Sequence, residues 1–361
     1  MDVSHSYSGA IKDGLFHGVG CLTYAGNEKY EGEFQMGKRS GWGTFHYADG
    51  TVYAGEWKDD KINGRGKAVF SCGNVYEGYW LNGRIHGEGK LLYANGDVYE
   101  GEWSQGKMDG TGTFRYKHGD VYTGQYRADK KHGHGTVHYV SSSGEVAESY
   151  EGEYADDRMH GQGRYVYANG AVYEGEWVDQ KMHGRGSFRY PNGNLYEGTF
   201  EKDVKEGYGV LTYATGDRYE GEWQGDKVHG PGTITFSNGD RYTGDFVDGL
   251  KSGRGTLAYS NGDEYTGQLL NDRLEGIGRM TYGDGSVYEG QWVRDQRHGQ
   301  GVLLSAVDGR QYEGDWSCGK REGKGRLLWP NGDVLTAVWK KGGVCSVASF
   351  VFAPDSVWAD R

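Results

Sequence analysis

The sequence predicts an all-β fold, an elongated single-layer antiparallel meander of about 15 stacked β-hairpins, each about 23 residues long. Three observations carry that prediction. Tyr30, Tyr53, Tyr76, Tyr99 and Tyr122 are each followed by x-Gly-x-aromatic, and the pattern resumes at Tyr150, Tyr173, Tyr196, Tyr219 and Tyr242. Successive tyrosines stand 23 residues apart, the exceptions being 28 residues between Tyr122 and Tyr150 and 24 between Tyr288 and Tyr312. The 361 residues include 66 Gly, 29 Tyr and 11 Trp but only 4 Pro, which fits neither a disordered linker nor collagen.

Within a unit the elements follow in order. Tyr99-Glu-Gly101-Glu-Trp103 alternates like a strand, so Tyr99, Gly101 and Trp103 share one face. A short polar loop follows. Gly110-Thr-Gly112-Thr-Phe114-Arg-Tyr116 is the second strand, and its spacing predicts that Gly110, Gly112, Phe114 and Tyr116 share a face. Turns such as Asn95-Gly96-Asp97 join one hairpin to the next. Glycine leaves room over the backbone for a neighbouring ring, so aromatic packing offsets the weakness of glycine in a strand. An apolar residue two places after the second glycine (Phe45, Leu91, Val137, Phe188, Ile234, Leu257, Met280, Leu303) completes the buried face. The other face is polar. Glu33, Glu56, Glu102, Glu153, Glu176 and Glu222 on first strands are expected to pair with Lys67, Lys90, Arg164 or Arg279 on second strands. Two strands per unit advance the array about 9.6 Å, which predicts a rod on the order of 140 Å long.

With 40 Lys and Arg against 51 Asp and Glu the formal charge is -11, which argues against a nucleic-acid binder with a uniformly basic surface. Cys21, Cys72, Cys318 and Cys345 form no CxxC pair, no Asn stands in a glycosylation sequon, and Met1-Asp2 opens neither a signal peptide nor a myristoylation site. The cytoplasm is the expected compartment. No apolar run reaches the roughly 18 residues of a membrane span, so membrane contact is expected to be peripheral.

Units such as Tyr99-Glu-Gly-Glu-Trp103, Tyr173-Glu-Gly-Glu-Trp177 and Tyr219-Glu-Gly-Glu-Trp223, with runs such as Lys181-Met-His-Gly-Arg-Gly186, resemble MORN (membrane occupation and recognition nexus) repeats over roughly residues 7 to 341. The chain is similar to proteins made only of such repeats, notably the type of about 15 units in cytoskeletal assemblies beneath the membrane of protozoan parasites. The resemblance implies two roles, dimeric scaffolding and phospholipid binding. It also implies a location on the cytoskeleton near the plasma membrane or inner membrane.

The expected organisation is repeats 1–6 with an N-terminal cap over 1–139, an extended inter-repeat loop over 140–149, repeats 7–15 over 150–341, and a C-terminal cap or dimerisation segment over 342–361. Three departures from the pattern stand out. Residues are added around Val140 to Glu148, Ser305 replaces a second-strand tyrosine, and Leu335 and Ala337 replace Tyr and Gly while Trp339 remains. The apolar run Val344 to Phe352 then either folds as a cap or meets a second copy.

Lys38, Lys61, Arg84, Lys107, Lys130, Arg158, Lys181 and Lys227 fall in one loop position, with Lys205, Lys251 and Arg297 one place later. The opposite turns carry Asp49, Asp97, Asp120, Asp217, Asp240, Asp263 and Asp333, so one basic and one acidic edge are expected. Lys61, Arg84, Lys107, Lys130, Lys131, Arg158, Lys181 and Lys227 are the candidates for phosphoinositide or other anionic headgroups, each nearby cation contributing about 1 kcal/mol at an anionic surface. Asp59, Asp60, Asp156, Asp157, Asp179 and Asp226 in the same loops oppose docking onto a whole membrane. Trp339, Val344, Phe350 and Phe352 are the dimerisation candidates. Tyr99, Trp103, Tyr173, Trp177, Tyr219 and Trp223 are candidates for a peptide-binding aromatic groove.

No catalytic residues and no cofactor are expected. The Gly-x-Gly pairs precede strands rather than helices, so they lack the context of a phosphate cradle. His17, His86, His132, His160, His183, His229 and His298 recur before one glycine, but rings in neighbouring units stand about 9.6 Å apart, too far to share a metal. The leading expectation is a non-enzymatic scaffold. It is a homodimer joined through its C-terminal repeats that recruits cytoskeletal proteins; the alternative is a peripheral phospholipid-binding module.

Overall fold

The computed structural model describes residues 5–354 and Ser356; residues 1–4, 355 and 357–361, the outer parts of the two expected caps, lie outside the described residues. Among the described residues there are thirty β-strands and no helix, from Ser6–Lys12 to Gly343–Val351. The chain divides into two units, Met1–Lys181 and Met182–Arg361. Within each unit, consecutive strands pair antiparallel. In the first, Val98–Ser104 lies between Arg84–Leu92 and Lys107–Arg115; in the second, Arg218–Gln224 lies between Val204–Thr212 and Lys227–Thr235. Both units are the predicted hairpin meander.

A file of glycines runs across the strands of each unit. Gly101 stands opposite Gly89 on one side and Gly112 on the other, as Gly221 stands between Gly209 and Gly232. Tyrosine rings lie over this file, and a β-carbon built on Gly112 would strike the Tyr99 ring. Tyr99 is fully buried, and its hydroxyl donates to the Glu102 carbonyl at 3.0 Å. The ring meets Trp103 edge-on at 5.1 Å and Tyr126 of the next hairpin at 5.2 Å. Such contacts contribute about 0.5–1.5 kcal/mol each beyond the burial itself, and they repeat along each unit. The last hairpin shows the rule by exception: Leu335 stands in place of tyrosine, and Ala337, with its methyl group buried, replaces the glycine beside it.

The first glycine of each pair does not share the tyrosine's face, contrary to its spacing. Pairing of Val98–Ser104 with Lys107–Arg115 breaks between Met108 and Gly112, and Gly110 in the break has φ +105°. A β-carbon there would meet the Glu102 carboxylate on the opposite face. The bulge resets the alternation, so two residues that a regular strand would align point apart. The same bulge claims the glutamates. Glu33, Glu56 and Glu153 accept the backbone N–H of Trp42, Arg65 and Gln162, each at 3.1 Å. The cross-strand ion pairs form instead from the residue after the tyrosine, as in Lys90–Glu100 at 3.4 Å.

The five residues (28 − 23) added near Val140 do not make an extended loop. They lengthen two strands to Lys130–Val140 and Val146–Ala155, which leaves a tight turn closed by Ser141 N–H to the Glu145 carbonyl at 2.8 Å. Pairing continues through Tyr139 and Glu148. Glu148 is useful there, because its carboxylate accepts the Tyr165 hydroxyl at 2.5 Å.

Candidate functional site

The six groove candidates are core, not surface. Tyr99, Tyr173 and Tyr219 are 0–1% exposed and Trp103, Trp177 and Trp223 3–5%. Each indole also gives its Nε1–H to a glycine carbonyl of the preceding hairpin, Trp177 to Gly163 and Trp223 to Gly209. A single layer covers these rings because each is wedged between its neighbours' rings. What remains half-exposed on that face is the row at the ends of the second strands, including Tyr47, Tyr93, Tyr116, Tyr213 and Trp329.

Cations stand beside these rings. Arg39 lies over Trp57 at 4.4 Å, Lys131 over Tyr122 at 4.7 Å, Lys205 over Trp223 at 5.1 Å, and Arg297 over Trp316 at 4.4 Å. Lys131 is therefore not on the headgroup edge, and Lys205, Lys251 and Arg297 leave it too. One residue later in a strand is the other face. That parity was the available signal. Burial among the rings lowers the Lys131 pKa, against the opposing pull of Asp157.

The remaining headgroup candidates open their strands on the expected edge, where carboxylates one repeat on meet several of them. Lys130 pairs with Asp156 at 3.8 Å, Arg158 with Asp179 at 3.1 Å and Lys227 with Asp248 at 3.3 Å, while Arg84 donates to Gln105 at 3.0 Å. Lys61, Lys107 and Lys181 open the strands Lys61–Val69, Lys107–Arg115 and Lys181–Arg189. Exposed pairs of this kind contribute about 0–1 kcal/mol but cancel charge along the edge. The opposite edge is stitched rather than free: Asp97, Asp240 and Asp333 accept the backbone N–H of Lys117, Ser260 and Ala353 in the following hairpin at 2.7, 2.8 and 2.9 Å. Such bonds hold the Asp217, Asp240 and Asp333 carboxyls below the usual range.

Of the dimerisation candidates, Trp339 is buried, edge-on to Tyr312 at 5.3 Å, and presents no surface. Its ring packs against the tyrosine of the preceding hairpin as Trp316 does against Tyr288, but its Nε1–H has no partner among the described residues. Val344, Phe350 and Phe352 are 41–45% exposed, on or beside the strand Gly343–Val351, all of whose residues are exposed. Among the described residues no three His, Cys, Asp or Glu side chains converge as a metal site, and Cys21, Cys72, Cys318 and Cys345 are free thiols.

Fold and surface together define a repeat protein whose hairpins interlock through tyrosine over glycine, with one apolar strand left open on one side among the described residues. The MORN repeat model matches fourteen consecutive segments, from residues 7–28 and 30–52 through 288–310 and 312–334, and the chain belongs to that family and consists of its repeats over nearly its whole length. The hairpin from Val334 to Val351 lies, apart from Val334, beyond the last match. No curated protein matches the sequence. Among solved structures, the chain is similar to the TCP10c domain of Drosophila melanogaster Sas-4 at 13% identity, covering 50% of this chain and 90% of that one with TM-score 0.24. A mutant TCP10 domain of Danio rerio CPAP matches at 12% identity over 73% and 99% of the two chains with TM-score 0.20. A streptogramin B lyase matches at 12% over 92% and 95% with TM-score 0.13. Scores this low carry no functional argument.

Proposed function

We propose that the chain is a non-enzymatic scaffold, a homodimer joined through its C-terminal hairpin, that organises a cytoskeletal assembly close to a membrane in the cytoplasm. The observation that carries the dimer is the strand Gly343–Val351. It pairs on one side only among the described residues, and Val344, Val347, Phe350 and Val351 are all exposed along it. A long apolar edge strand is a template for pairing with another chain. The first strand, Ser6–Lys12, is less suited, because Ile11 is its one exposed large apolar residue. Two copies meeting edge to edge close the open strand by two-fold symmetry and present partner sites at both ends. The cytoskeletal and membrane-proximal setting is taken from the resemblance to other proteins built only of these repeats.

Sedimentation equilibrium at micromolar concentration tests the dimer. Wild type is expected to sediment as two copies, and Val347→Lys or Phe350→Asp as one with the thermal transition preserved. A monomeric wild type would sink the proposal. The phospholipid reading is weaker, since Asp156, Asp179 and Asp248 already engage cations of the loop edge. Salt-sensitive co-flotation with phosphoinositide vesicles, lost in Lys61→Glu/Lys107→Glu, would put it first instead.

A further inference from the structure

Three cations on the aromatic face carry their own carboxylate. Arg39 meets Asp60 at 3.2 Å, Lys205 meets Asp226 at 3.2 Å and Lys251 meets Asp272 at 3.9 Å. In each case the aspartate stands just before the second strand of the next hairpin, and its N–H bonds back to the carbonyl of the cation's own residue. Arg297 and Arg321 make the same backbone bond, but to Gly319 and Gly342. The carboxylate is missing twice in succession.

Both guanidiniums are held in place without it. Arg297 lies over Trp316 at 4.4 Å, as Arg39 lies over Trp57, and donates to the Gly319 carbonyl at 3.0 Å. Arg321 lies over Tyr312 at 4.9 Å and Trp339 at 5.1 Å. Neither forms an ion pair among the described residues. Arg321 lies within the field of Asp308, but that carboxylate is held by Arg310 at 3.4 Å and by the Ser305 hydroxyl. Burial, then the positive fields of Arg297 and Arg310, lower the Arg321 pKa. There is also room. Lys131, Lys205 and Lys251 each touch a ring from the preceding hairpin, Tyr116, Tyr190 and Phe236, at 5.6–5.9 Å. At the corresponding place before Arg321 stands Ser305.

We propose that Arg297 and Arg321 form a binding site for an acidic segment of a partner protein, whose carboxylates take the places that Gly319 and Gly342 leave empty. Trp316, Tyr312 and Trp339 are its floor. Carboxylate is the expected anion because Arg39 with Asp60 is the filled version of the same arrangement in the same chain. The two arginines stand second in the alternate strands Gln296–Leu304 and Lys320–Leu328, which places them about 9.6 Å apart. A polyproline II segment returns to the same face every third residue, over about 9.3 Å. Acidic residues three apart in such a segment reach both guanidiniums. The site deepens the scaffold reading, since it rests on the chain recruiting proteins, but it does not depend on the dimer.

The test is fluorescence anisotropy of a labelled Pro-Pro-Asp-Pro-Pro-Asp-Pro-Pro peptide against the full chain. Wild type is expected to bind it and to ignore the same peptide with Asn for Asp. Gly319→Asp/Gly342→Asp supplies both carboxylates from within and is expected to weaken binding about tenfold or more, the value of one charged hydrogen bond. That variant suits the fold: Asp60, Asp226 and Asp272 hold φ of 65°, 65° and 67°, and an added β-carbon at Gly319 or Gly342 meets nothing within 4 Å. Arg297→Gln/Arg321→Gln is expected to lose binding equally, and Lys107→Gln on the loop edge to keep it. No binding by wild type overturns the site, as does full affinity in the Gly→Asp variant. Inorganic phosphate displacing the peptide as strongly as free aspartate peptide does overturns the carboxylate assignment. A monomeric protein that binds the peptide supports the site while sinking the dimer; a dimer that does not bind it sinks the site alone.

Discussion

The Tyr30 ring covers Gly43 on the facing strand so closely that a β-carbon there would strike the ring and its hydroxyl. Gly43 is the second glycine of its strand, Lys38–His46, opposite Gly32. Gly43→Ala is therefore expected to destabilise the protein by about 1–3 kcal/mol, the usual effect of overpacking. Because the colliding atoms belong to the Tyr30 side chain, Tyr30→Leu should relieve part of it. Urea denaturation of the two single variants and the double variant measures this. Strict additivity would show that the clash is with the backbone instead.

The slot four residues after the tyrosine holds Trp, Phe or Tyr in every unit except those of Tyr7 and Tyr265, where Ile11 and Leu269 stand, and the polar atom decides what each aromatic is worth. Trp57 satisfies its Nε1–H on the Gly43 carbonyl at 3.1 Å. The Tyr126 and Tyr154 hydroxyls are buried without a partner among the described residues. Tyr126→Phe or Tyr154→Phe removes an unsatisfied buried group and is expected to stabilise by about 1 kcal/mol, while Trp57→Phe destabilises by about 1–3 kcal/mol. Phe34, Phe200 and Phe246 already occupy the slot elsewhere. A lower thermal midpoint for Tyr126→Phe would mean that its hydroxyl has a partner in solution.

The hairpins were legible in the sequence because the ring that caps each glycine pair sits at a fixed offset in every unit but the last, where Leu335 replaces it. Tyr99 and Gly112 alone predict their contact. The bulge was not legible, since Gly110-Thr111-Gly112 reads as plain alternation and only a positive φ at Gly110 breaks it. Face assignments beyond the bulge failed with it, which sent the glutamates to the wrong partners. The groove candidates failed for a different reason: a tryptophan on a one-layer sheet looks open in sequence but is closed by rings from adjacent repeats. Arg321 was missed because its significance lies in what is absent at Gly342, a comparison that needs the register of other hairpins.

On the turn edge, Asp240 joins successive hairpins through the Ser260 N–H, and that bond holds its carboxyl below the ordinary value. A depressed carboxylate contributes stability above its unfolded pKa and loses it as pH falls through the folded one. Thermal stability is therefore expected to decline below about pH 4, the unfolded range for Asp. Asp217 and Asp333 act in the same direction, through the Ser237 and Ala353 N–H groups. Asp240→Asn keeps the acceptor and should flatten the acid limb, while Asp240→Ala lowers the midpoint at neutral pH. An acid limb unchanged in Asp240→Asn would assign the loss to other carboxylates.

The tyrosines set the opposite limit. Burial pushes the Tyr242, Tyr288 and Tyr312 hydroxyls up to about 12 from the ordinary value of 10.0. A raised folded pKa means that the neutral phenol is favoured by the fold, so its contribution is complete below pH 10 and lost as pH rises toward 12. The rings titrate late because the charged form would sit over backbone with no water to solvate it. Alkaline titration followed by phenolate absorbance should therefore show exposed tyrosines ionising first. The buried set should then ionise in one cooperative step that coincides with loss of the far-ultraviolet β signal. Ionisation of all the tyrosines near pH 10 with the sheet intact would show that the rings over the glycine file are open to solvent, and the packing described for Tyr242, Tyr288 and Tyr312 would be wrong.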